Sequence, residues 1–234
     1  IYDRFERLSN TPPEPRWMAA VAKGAEWIRR KRIRGGTTAP HEGLFPPGFS
    51  AEHLGPNDYY YWDAFRGWAG LKGAARLAGR HGSREKAEAW TEEASDMERA
   101  VFRSIESNPA FRKSGVIPAA PYRRMDAGAV GSLVADYPLR LVPPGDPRFL
   151  ATVDHLMENS FYRGAFFQDM IHSGINPYLT LALAQTLLRG GDSRYRDLFL
   201  RVADLASPTG QWPEAIHPWT EGGCMGDGQH GWAA

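Results

Sequence analysis

Two kinds of helical segment alternate along this chain, and two kinds of connector alternate with them. Residues 15–34, 83–107, 147–159 and 192–206 carry apolar side chains on one side only. Trp17, Val21, Ala25 and Ile28 mark the first stripe. Trp90, Ala94, Met97 and Val101 mark the second, Leu150, Val153 and Met157 the third, and Tyr195, Phe199 and Val202 the fourth. Steps of three and four residues predict amphipathic helices. Residues 60–79, 127–137 and 177–190 are instead apolar or small nearly all round, the pattern of helices buried on most sides. Every all-round segment leads into the next one-sided segment by a short turn: 80–83, 142–147 and 190–193. Every one-sided segment leads on through a long connector: 35–59, 108–126, 160–174 and 207–227.

In a stack of antiparallel helical hairpins, that rule puts all the long connectors at one end. The economical fold is all-α: an (α/α)6 toroid with buried inner helices and amphipathic outer ones. About four hairpins are visible where a closed ring has six, and the chain starts at Ile1 and stops within "GQHGWAA". The expectation is one toroid domain over residues 1–234, truncated at both ends. No strand alternation of useful length is present.

Composition narrows the functional classes. Lys+Arg 28 against Asp+Glu 27 leaves a net charge of +1, with no basic excess to attract nucleic acid or an anionic membrane. No apolar run approaches the roughly 20 residues of a membrane helix. A single cysteine, Cys224, excludes an internal disulfide, so a reducing compartment, the cytoplasm, is the default. The basic run "IRRKRIR" (28–34) complements a helix C-terminus. "GDGQHG" (226–231) matches G-x-G-x-x-G, but no strand precedes it. The histidines lack metal-ligand spacing, so neither metal nor cofactor is expected.

Long connectors in a compact domain usually carry function. The first holds "DYYYWD" (58–63), running through Tyr61 and Trp62 into Asp63 at the top of an inner helix. The second holds "RRMDAG" (123–128), with Asp126 directly before an apolar run. Each acid reads either as a helix cap or as a carboxyl tuned by partial desolvation. The third offers Tyr162, Arg163 and Asn176, and the fourth is "GQWPEAIHPWTEGG" (210–223), with Gln211, Trp212, Glu214, His217 and Trp219. Aromatic faces interleaved with carboxyls and amides suit a sugar, whose C–H faces stack on rings and whose hydroxyls need paired donors and acceptors. Glycoside cleavage adds a need for two carboxyls flanking the scissile bond. Asp126 and Glu214 come from different connectors and can face each other. Glu221 is the rival of Glu214, which is restrained by Pro213 and Trp212.

With these residues in place, residues 40–234 resemble a six-hairpin glycosidase, most of all the processing α-glucosidases (mannosyl-oligosaccharide glucosidase and bacterial relatives). Glucoamylases and trehalases are further off. "YYYWDAF" (59–65) is similar to the family's aromatic-Trp-Asp segment, implying that Asp63 holds sugar hydroxyls. "RRMDAG" resembles the segment with the general acid, implying Asp126. "FYRGAFF" (161–167) resembles its Trp-Arg-Gly-Pro element through Arg163, with Ala165 in place of the proline. "PEAIHPWTEGG" resembles the segment with the general base, implying Glu214, although Ala215 and His217 depart from the pattern. The resemblance implies an exo-acting, inverting α-glycosidase acting on a glucosyl saccharide. Asp126 then needs a raised pKa, so Arg123 and Arg124 are expected to point away from it. The substrate-binding residues expected are Tyr61, Trp62, Asp63, Arg163, Asn176, Gln211, Trp212, His217 and Trp219, and Trp62, Asp63, Trp212 and Glu214 are expected to line one pocket with Asp126. The alternatives are a non-catalytic carbohydrate-binding toroid, with carboxyls ion-paired or too far apart, and a terpenoid cyclase, whose acid-rich motif the chain lacks.

Overall fold

A computed structural model describes residues 1–49, 56–81, 83–169 and 173–226. The "GQHGWAA" segment, expected to open a last inner helix, lies outside the described residues, as does most of "GDGQHG". The fold is all-α and toroidal, with a small sheet. Helices α1 (Tyr2–Ser9) and α2 (Pro15–Lys31) lead to α3 (Tyr61–Arg80), α4 (Arg84–Ser107) and the short α5 (Pro109–Ser114). A 3-10 helix (Ala127–Ala135), α6 (Pro147–Asn159), α7 (Pro177–Gly190) and α8 (Tyr195–Asp204) follow.

The inner layer is α3, the 3-10 helix and α7. Helix α3 buries Phe65, Trp68, Leu71 and Leu77, and packs against α1, α2, α4 and the 3-10 helix. Every residue of Ala127–Ala135 is buried. An α-helix over 127–137 was expected here, but Gly128 and Gly131 weaken that preference. A tighter 3-10 coil fits between α3, α6 and α7. The outer helices bury one side each. In α8 that side is Leu198 and Val202, while Phe199, expected on the buried stripe, is exposed.

Hydrogen bonds fix the two ends of the stack. At the end with short turns, Asp3 of α1 takes Arg76 and Arg80 at the foot of α3. There too Arg189 of α7 reaches Asp136 and the Val142 carbonyl. At the other end, the Tyr61 amide donates to the Ala119 carbonyl and Tyr60 Oη accepts from Arg123, joining the first two long connectors. The third and fourth connectors meet in a five-stranded antiparallel sheet, ordered β1 (Phe161–Tyr162), β2 (Ala165–Gln168), β3 (Gly174–Ile175), β4 (Ala215–Ile216), β5 (Gly223–Met225). Strands of two to four residues are too short to show a period of two, so the sequence reading missed them.

The basic run at the end of α2 does more than complement a helix terminus. The helix stops at Lys31, and Arg32 turns inward into extended backbone with its side chain fully buried. It pairs with Glu93, reaches Asp96 at 2.9 Å and donates to the Gly43 carbonyl at 2.7 Å. Gly43 sits at φ +87°, and a Cβ there would lie 2.5 Å from the Ala100 Cβ. The start of the first long connector is thereby pinned against α4. Arg34 also pairs with Glu93. Arg32→Met should therefore lower the unfolding free energy by about 3 kcal/mol, the low end for breaking a buried pair. Urea denaturation reads this, and a change below about 0.5 kcal/mol, ordinary for a surface site, would show that the pair holds nothing together.

Candidate functional site

Three groups of side chains stand at the end built from long connectors. The first surrounds Asp126. Its Oδ1 accepts the Gly128 amide at 2.9 Å, capping the 3-10 helix. Its Oδ2 accepts Arg123 Nη2 at 2.5 Å and Nε at 3.1 Å. Arg123 also donates to Tyr60 Oη at 2.9 Å, and its guanidinium lies over the Tyr60 ring. The expectation that Arg123 points away from Asp126 is thus overturned. A fork of two charge-assisted hydrogen bonds and one amide hydrogen bond thus engage both carboxyl oxygens.

The second group surrounds Asp63. It lies in the first turn of α3 and opens into a groove of about 560 Å³ between α2 and α3, with Trp27, Phe45, Lys31 and Arg66 among its walls. Burial pushes the Asp63 carboxyl up to about 6, against the opposing charge of Arg66. Trp62 is half-buried and carries the Arg66 guanidinium 4.0 Å over its ring. Neither Trp62, Asp126, Trp212 nor Glu214 lines this groove. The single shared pocket expected from the sequence is not what the groove shows. Trp27 falls off the buried stripe of α2 and is 52% exposed; an aromatic on the polar side of a helix is the signal that would have found this wall.

The third group is built by the sheet. Glu214 immediately precedes β4, is half-buried, and makes no hydrogen bond or ion pair among the described residues. Gly226, at φ +69°, packs against it so closely that a Cβ there would sit 2.7 Å from the Glu214 Cβ. Glu221 is exposed, at φ +58°, and its carboxylate takes Arg163 at 2.7 Å. Arg163 itself sits at φ +50° in the turn between β1 and β2. Two non-glycine residues in the left-handed region thus grip each other across the sheet, a backbone cost that persists only where the surroundings fix it. The Trp212 indole donates to the Val202 carbonyl at 2.7 Å and its ring packs on the sheet's apolar side. His217 Nδ1 accepts the amides of Trp219 and Thr220, shaping the β4–β5 turn, and Trp219 is 77% exposed. Gln211 closes a turn with Ser207 through its backbone.

Two expected binding residues are corrected. Tyr61 is fully buried, with its hydroxyl on Ser104 at 3.1 Å, and burial raises its pKa. Asn176 is 2% exposed and caps α7 through the Leu179 amide. Both hold the inner layer and present nothing to a ligand: Tyr61 faces the core from the first turn of α3, and Asn176 is spent on the cap of α7. Among the described residues no cluster of His, Cys, Asp or Glu is arranged to hold a metal ion, and no helix is long and apolar enough to cross a membrane. The Cys224 thiol is pushed up by burial, away from the reactive thiolate.

No family model matches the chain, and no curated protein matches its sequence. Solved structures do match in shape. A wild-type glycosidase superposes with a TM-score of 0.57 and 16% identity, over 75% of this chain and 47% of that one. A glycosidase variant in complex with glucose gives 0.58 and 16%, over 75% of this chain and 48% of that one. The chain therefore shares its fold with these glycosidase structures, and it spans about half their length.

The titration of Asp63 gives a test. Its pKa is raised in the folded state above the unfolded value of about 3.9. Folding is therefore unpenalised below that value, and stability is lost as pH rises through the folded value of about 6. Asp63→Asn removes that loss. Its melting temperature relative to the unsubstituted protein should rise between pH 4.5 and pH 7.5; a constant difference would mean that Asp63 is not desolvated.

Proposed function

We propose that this chain belongs to a glycoside hydrolase that cleaves an α-linked glucosyl saccharide from a chain end by inversion. The observation that carries this reading is Glu214: a half-buried carboxyl with no partner among the described residues, at the long-connector end of a glycosidase-type toroid. An unpaired carboxylate held beside a rigid sheet is fit to accept a proton from water. Glu214 is the general base, activating water on the face of the sugar opposite the leaving group. Glu221, the rival, is already engaged by Arg163.

The general acid is assigned to Asp126, where the family resemblance puts it. In this geometry Arg123 occupies Asp126 Oδ2, so a substrate has to draw Arg123 aside before Asp126 can reach the glycosidic oxygen. Asp63 keeps its proton closer to neutrality, and binds hydroxyls of the sugar beside the cleaved bond. Trp62, Trp212, Trp219, Gln211, His217 and Arg163 remain the proposed flanking contacts, and no cofactor or metal takes part. The Arg123–Asp126 pair favours a second reading, a carbohydrate-binding toroid without catalysis.

Kinetics separate these readings. Glu214→Gln should lower turnover of an aryl α-glucoside by on the order of 10²–10⁴-fold, the share of general acid–base catalysis, while sugar binding is kept. Glu221→Gln should leave turnover within a few-fold. Asp126→Asn losing far less than Asp63→Asn would move the acid to Asp63. No turnover by the unsubstituted protein, with sugar still bound, selects the non-catalytic toroid. The first-formed anomer by proton NMR should be inverted; retention would overturn the mechanism.

A further inference from the structure

The first two long connectors also carry an aromatic assembly that the roles above do not use. Tyr122 lies four residues before Asp126 in the same connector, and its ring is 54% exposed. It is nevertheless fixed in orientation. His41 Nδ1 meets the Tyr122 hydroxyl at 2.6 Å. His41 in turn stacks on Tyr59, with ring centroids 4.4 Å apart and planes 10° from parallel. Tyr59 meets Tyr122 edge-on at 5.8 Å and 66°, the geometry that ring quadrupoles favour. Tyr59 packs against the main apolar core, and the Asp58 carboxylate accepts its amide. The segment carrying His41 is anchored by Arg32 Nε donating to the Gly43 carbonyl and by paired backbone bonds between Ile33 and the Gly43–Leu44 stretch.

An exposed ring with so little freedom binds a flat apolar face at low entropic cost. Two residues along, Arg124 is exposed and makes no hydrogen bond or ion pair among the described residues, so its five N–H donors are open to acceptors. An exposed ring face with unspent donors two residues along the chain suits a pyranose, which offers C–H groups on its face and hydroxyl oxygens at its rim.

We infer that Tyr122, held by His41 and Tyr59 and flanked by Arg124, is the stacking platform of a second sugar subsite, occupied by a residue of the saccharide beyond the bond that is cleaved. The inference rests on the sugar-cleaving reading of this face and adds to it a preference for oligosaccharides over simple glucosides. A platform for the next sugar contributes to long ligands and nothing to short ones.

The test is calorimetric titration of the Glu214→Gln protein with maltopentaose and with methyl α-glucoside, so that binding is read without turnover. Tyr122→Ala should weaken maltopentaose binding by about 3- to 10-fold, the range of one aromatic contact, and leave methyl α-glucoside unchanged. Tyr122→Phe keeps the ring and should restore most of the loss, and Arg124→Ala should weaken only the longer ligand. Thermal melting checks that each variant is folded. If maltopentaose binds and Tyr122→Ala leaves its affinity unaltered, the platform is refuted and the sugar-cleaving reading stands. If both ligands weaken alike, Tyr122 belongs to the cleavage subsite and the inference is equally refuted. If neither ligand binds before Tyr122 is changed, the sugar-cleaving reading falls, and the platform with it.

Discussion

Helix α3 has to be covered over most of its surface. Tyr61, Phe65, Trp68, Leu71 and Leu77 take up most of its circumference and are almost wholly removed from water. Exposing even two of them would forgo several kcal/mol at about 25 cal/mol per Å² of apolar area. One partner helix cannot cover a cylinder, so α1, α2, α4 and the 3-10 helix surround it. The 3-10 helix and α7 are likewise buried among their neighbours. The outer helices are then one-sided because only one side faces the inner layer. Connector geometry follows, and with it the gathering of four long segments at one end.

That much was legible in the sequence, because burial on one side or on all sides is written in the spacing of apolar residues. Asp126 as a cap was equally readable, being a local rule of backbone hydrogen bonding. The five-stranded sheet was not, since its strands form only when two connectors far apart in the chain are brought together. The inward turn of Arg32 was hidden for the same reason: a run of basic residues shows no difference between the one that is buried with Glu93 and those in solvent.

The candidate site was legible in part, with each acid at the right end of the stack and most of its electrostatics undecided. Sequence spacing cannot say whether Arg123 curls back onto Asp126 three residues on or reaches outward, and the structure has it curled back. The aromatic run 59–62 divides by position in the helix. Tyr61 and its hydroxyl serve the core, Tyr60 holds Arg123, Trp62 carries Arg66, and Tyr59 joins the platform with His41 and Tyr122. Neighbours in sequence point in different directions because an inner helix begins there. The result is three carboxyls in three settings: Asp126 paired with Arg123, Asp63 pushed toward its acid form, and Glu214 half-buried without a partner among the described residues. Groups so differently placed can divide the work of holding, giving and taking a proton.

The central claim is that a sugar lies across this end of the toroid with Glu214 beneath the bond to be cut. A crystal structure of the Glu214→Gln protein soaked with an α-linked glucosyl oligosaccharide tests it directly. The account predicts a glucosyl ring at the long-connector end, with a water bridging its anomeric carbon and residue 214, and the carboxyls of residues 126 or 63 on the opposite side of the ring. A sugar bound only in the groove between α2 and α3, away from residue 214, would contradict it.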